Sequence, residues 1–103
     1  EDKEYKKRFK LRVAGEYFIV NTMDIIFFRI INGVIYVMLG DNRKYPLLEE
    51  TLLALEEKLD PALFFRINRS DIININFIIS IRFSHGNDYS IMLKNIEEKL
   101  IVS

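Results

Sequence analysis

Reversal signals recur along this chain at intervals of roughly 8–12 residues, a spacing that suits the short strands of a mostly-β domain. Asn32-Gly33 is the strongest of them, because both residues tolerate the positive φ of a type I′ hairpin turn. Ala14-Gly15-Glu16, Gly40-Asp41-Asn42-Arg43, His85-Gly86-Asn87-Asp88 and Lys94-Asn95 mark further turns. Between them Phe9, Leu11 and Val13 alternate with Lys10 and Arg12, the period-2 pattern of a strand with one wet face. Ile79, Ile81 and Phe83 alternate in the same way with Ser80, Arg82 and Ser84, and Tyr89, Ile91 and Leu93 share one side of the return strand. Residues 25–31 show no such alternation, so they read as a central strand covered on both faces. Pro46 puts the strand over 44–48 at an edge or a bulge.

One helix interrupts this pattern. Leu48, Leu52, Leu55 and Leu59 form a single apolar stripe, Glu49 and Glu50 complement the dipole at its start and Lys58 at its end, and Asp60-Pro61 stops it. The fold class expected is mostly β, with about eight short strands and one short α-helix. Residues 1–7 read as a linker or frayed terminus, with the folded domain over 8–103.

Composition narrows the function. With 103 residues, half of them hydrophobic, the chain can bury roughly two-thirds of its unfolded surface as one domain. The lack of cysteine excludes disulfides and suits a reducing, cytoplasmic setting. No cysteine and a single histidine, His85, argue against a metal site. No cofactor-binding loop or nucleophile elbow is present, so neither a cofactor nor an enzyme is expected. Apolar runs are too short to span a membrane. Fifteen basic residues balance fifteen acidic ones, so any polyanion must be recognised through local charge.

The stretch over 64–76 is where polar groups crowd an apolar run. A strand over 65–67, a polar turn at 68–71 that Ser70 or Asp71 caps, and an apolar segment after it would place Asn68 and Arg69 on an exposed corner anchored by Ile67, Ile72, Ile73 and Ile75. Arginine and asparagine make bidentate hydrogen bonds to guanine and adenine and also grip phosphates. Asn68-Arg69 and the hairpin tip Asn32-Gly33 are thus the candidate DNA contacts. Arg66 reads as bracing the corner from inside, and Asn74 as satisfying turn backbone.

The residues Phe64-Phe65-Arg66-Ile67-Asn68-Arg69-Ser70, followed by Ile72-Ile73-Asn74-Ile75-Asn76-Phe77-Ile78, resemble the core motif of the LytTR DNA-binding domain, the output module of many bacterial response regulators. Asp24 to Phe28 is similar to the family's early strand, Thr51 to Leu59 to its helix, and Leu93-Lys94-Asn95 with Val102-Ser103 to its closing hairpin. The resemblance implies an elongated stack of small antiparallel sheets that enters major grooves with loops, at direct-repeat promoter sites, often as a homodimer. It implies double-stranded DNA as partner and a receiver domain upstream. Carried onto this chain, Arg69, Asn68, Asn32, Gly33 and Lys94 would meet DNA, supported by Arg66, Ser70, Asn74 and Asn76. Asn68 stands where many members have histidine, and Ile96 where the closing hairpin usually has glycine, so that turn is expected to differ. The family usually continues past Ser103 with a basic residue that meets DNA, so the resemblance implies a domain expected to be truncated there. The competing expectation is a β-rich interaction or dimerisation module without DNA binding, using exposed strand edges.

Overall fold

The computed structural model describes residues 3–47, 51–84, 86 and 88–103. Its elements are β1 (Arg8–Val13), β2 (Glu16–Asn21), β3 (Phe27–Ile31), β4 (Val34–Met38), β5 (Lys44–Leu47), α1 (Leu52–Lys58), β6 (Phe64–Arg66), β7 (Asp71–Asn74), β8 (Ile78–Phe83), β9 (Tyr89–Leu93) and β10 (Lys99–Val102). Turns of 3-10 helix at Thr22–Asp24 and Ile75–Phe77 lead into β3 and β8. The strands form three antiparallel sheets, ordered β1-β2, β5-β4-β3-β7-β6 and β10-β9-β8. The expected stack of small sheets with one helix is therefore the observed architecture, 45 Å in its longest dimension and 24 Å in its shortest.

The five-stranded sheet is the middle layer, and its register shows why residues 25–31 lack alternation. Phe28 pairs with Ile72 and turns to one face, where both join Phe9, Leu11, Leu52, Leu55 and Phe64. Phe27 pairs with Ile73 and turns to the other, where both join Ile91, Leu93 and Leu100. Each such side chain contributes about 1.5–3 kcal/mol on full burial, so β3 is held from both sides. Pro46 lies on β5, an edge of this sheet, as its missing N–H requires.

Thr51 opens α1 by accepting a hydrogen bond from the Ala54 N–H at 2.9 Å, a cap the apolar stripe did not reveal. Leu52, Leu55 and Leu59 are buried as expected; Leu48, Glu49 and Glu50 lie outside the described residues, as do His85 and Asn87 of the turn before β9. The hairpin residues Asn32 and Gly33 have φ of 50° and 82°, the type I′ values. In the closing turn Asn95, at φ 67°, takes the left-handed position and Ile96 does not. Backbone bonding starts earlier than Arg8, because the Lys6 N–H donates to Lys58 O and Lys7 O accepts from the Thr22 N–H. No helix among the described residues is long and apolar enough to cross a membrane.

One strand departs from its pattern. Ile79, Ile81 and Phe83 are 65%, 58% and 63% exposed, so the apolar side of β8 is not a core side. The sheet order explains it: β9 and β10 already cover the middle sheet, and β8, at the far edge, overhangs the core. A bulge between Ile78 and Ser80 turns the strand further outward.

Candidate nucleic-acid interface

The turn between β6 and β7 and the β3–β4 hairpin tip emerge at the same end of the middle sheet. Asp71 pairs with Arg29, the Ile30 N–H donates to Ser70 O at 2.9 Å, and Ile31 pairs with Val34 across the hairpin. Asn32 is thus two residues, about 7 Å of strand, beyond the point where the corner meets β3. Asn32, Gly33 and Arg69 are all exposed.

The corner is built around Asn68, and here the expected roles change. Its Oδ1 accepts from the N–H groups of Ser70 at 2.7 Å and Asp71 at 2.9 Å, and its Nδ2 donates to Asp71 Oδ2 at 3.0 Å and Ile101 O at 2.7 Å. With both hydrogens and both lone pairs engaged, the amide has no capacity left for a base. Asn68 is therefore the cap and brace of the corner, in place of Ser70 or Asp71. Ser70 supports the corner through its backbone, its N–H on Asn68 Oδ1 and its carbonyl accepting from the Ile30 N–H.

Arg29, read from the sequence only as part of a central strand, completes the brace. Its Nε lies 2.7 Å from Asp71 Oδ1 and its Nη2 3.2 Å from Asp71 Oδ2, a bidentate pair whose carboxylate is almost wholly buried. Its Nη1 reaches Glu98 at 2.9 Å, and its guanidinium lies 5.1 Å from the Phe27 ring centroid. The hydrogen bond with Asp71 outweighs burial and, helped by Glu98, raises the Arg29 pKa above its already high value. The signal was present: a lone cation inside an apolar run and a lone acid opening another each need a buried partner.

Arg66 braces the corner from its exposed side, donating from Nε to Asn68 O at 3.1 Å and from Nη2 to Arg69 O at 2.8 Å. These bonds hold the backbone of Arg69, whose guanidinium has no ion pair or hydrogen bond among the described residues. A shallow cleft beside it is lined by Arg29, Asn68, Ser70, Asp71 and Ser103. The arrangement is a rigid mount for one free cation.

The remaining expected residues lie elsewhere. Asn74 is fully buried at the far end of β7, donating to Met23 O and Ile25 O and accepting from the Asn76 N–H, so it secures the entry to β3. Asn76 is exposed in the same region. Lys94 is exposed, its N–H on Phe77 O, in a turn whose Asn95 packs beside Gly40. That places it by the β4–β5 turn, at the opposite end of the sheet from Asn32 and Arg69.

A family model described as the LytTr DNA-binding domain matches residues 15–103. The sensory transduction protein LytT of Bacillus anthracis is 32% identical over 84 residues, covering 82% of this chain and 33% of that protein. LytT of Bacillus cereus is 31% identical over 84 residues with the same coverage. This chain thus spans about a third of the length of these curated relatives. Among solved structures, a LytTr DNA-binding domain from Bacillus cereus aligns with a TM-score of 0.82 at 21% identity, over 95% of this chain and 87% of that one, a likeness of fold.

Proposed function

The chain belongs to the LytTr DNA-binding domain family, and from that premise we propose that it is the sequence-reading output module of a two-component transcriptional regulator, with a receiver domain elsewhere in the longer protein. The observation that carries the proposal is the Arg69 corner: a cation without a partner among the described residues, on a backbone held by Asn68, Arg66 and the Arg29–Asp71 pair, beside an exposed hairpin tip. Arg69 reads a base edge or grips the phosphate next to it, and Asn32-Gly33 approaches the adjoining backbone. Asn68 acts through Arg69, and Lys94, at the other end of the sheet, belongs to a separate contact.

The test is equilibrium binding of the chain to selected promoter fragments and to scrambled DNA of equal length across a salt series. Affinity should fall steeply with salt and favour the selected sequence. Arg69→Ala should weaken binding by about 1–3 kcal/mol with little change in melting temperature. Equal retention of both DNAs by the unmodified chain would overturn the reading.

A further inference from the structure

Among the described residues β8 bonds only to β9, and its outer N–H and C=O groups face solvent. Proteins usually guard such edges with short strands, lysine or proline. Here β5 carries Lys44 and Pro46, β6 is only three residues long, and β10 opens with Lys99. β8 is six residues long with neither proline nor lysine, and its guards are the bulge and Arg82.

Along that edge stand the exposed Ile79, Ile81 and Phe83, joined by Tyr89, whose ring meets Phe83 edge-on with centroids 5.0 Å apart. β2 also exposes apolar residues, but on opposite faces. Tyr17 and Ile19 lie across from Arg12 and Lys10, and Phe18 lies across from Leu11. Among the described residues β8 joins the larger one-sided apolar group, Ile81 and Phe83 with the neighbouring Tyr89, to open backbone.

We propose that β8 pairs antiparallel with β8 of a second copy, in the register centred on Ile81. Ile81 then faces its own counterpart and Arg82 faces Ser80, while Phe83 reaches toward the bulge at Ile79 of the other copy. Centring on Arg82 would set two guanidiniums opposite each other. Centring on Ser80 would leave Phe83 beyond the paired segment. Burying all that Ile79, Ile81, Phe83 and Tyr89 expose would remove at most about 1,000 Å² from water per pair, the threshold for a specific interface. The pair is thus a weak, concentration-dependent dimer.

This surface is separate from the Arg69 corner and does not rest on the DNA reading. The order β10-β9-β8 sets β8 two strand spacings, about 10 Å, from β10, whose Ile101 carbonyl holds Asn68.

Sedimentation equilibrium of the chain without DNA, from about 1 μM to about 1 mM, tests it over the range of weak association. The apparent mass should rise from 12.3 kDa toward that of a dimer. Ile81→Glu should abolish the rise, and Ser80→Asp, by adding two Asp–Arg pairs across the two-fold axis, should tighten the dimer several-fold. Both positions are exposed, so both variants should keep the melting temperature of the unmodified chain. A chain that stays monomeric at the highest concentration, or a dimer indifferent to Ile81→Glu, overturns the proposal. A dimer lost in Ile81→Glu but not tightened by Ser80→Asp overturns the strand pairing.

Discussion

Removing the Asn68 amide strips partners from the N–H groups of Ser70 and Asp71, the Ile101 carbonyl and one oxygen of the buried Asp71. Each orphaned group costs about 1–3 kcal/mol where water is excluded. The corner is half-exposed, so water replaces some of these bonds. Asn68→Ala should therefore lower stability by about 2 kcal/mol, a fall in melting temperature of roughly 10 °C, and DNA affinity should fall with it because the mount loosens. Arg69→Ala should show the opposite division, affinity lost and stability kept. Arg29→Met poses the sharper case, because it leaves the Asp71 carboxylate uncompensated in an apolar strand. For a buried pair the loss is about 3–5 kcal/mol, and replacing both partners by apolar residues recovers much of it. Chemical denaturation of Arg29→Met, Asp71→Leu and the double variant should show the double more stable than Arg29→Met alone. A double variant as unstable as the sum of the singles would mean that the two side chains act separately.

At the scale of elements, local signals proved legible and distant pairings did not. Asn32-Gly33 forms its I′ turn because both φ values are determined within two residues, and Pro46 finds an edge because its own ring demands one. Gly33 has open space where a Cβ would stand, so Gly33→Ala meets no clash and costs only the left-handed backbone, about 1 kcal/mol in a thermal melt. The corner was legible as a corner, but its internal division of labour was not. Asn68 depends on Ile101, 33 residues on, and Arg29 on Asp71, 42 residues on, contacts that no window along the chain contains. The resemblance set Lys94 beside Arg69 as a DNA contact, and strand order separates the two. β8 misled for a related reason: alternation reports which side of a strand is apolar, while sheet order decides whether anything covers that side.

For the whole molecule, balanced charge means that DNA affinity must come from a few fixed contacts and from the arrangement of copies. Strand pairing through β8 is isologous, so its two Arg69 corners are related by a two-fold axis. Two sites repeated in the same orientation are related instead by translation and rotation along the duplex, and one β8 pair cannot present both corners to them alike. An inverted repeat shares the two-fold axis of the pair and can accept it when the spacing matches. Ile81→Glu should therefore bind a same-orientation repeat as tightly as the unmodified chain does. On a correctly spaced inverted repeat it should lose the gain from linked binding, on the order of ten-fold or more. Gel-shift titrations on the two arrangements, with half-site sequence and fragment length held constant, make the comparison. Equal losses on both would place the contact between DNA-bound copies on a surface other than β8.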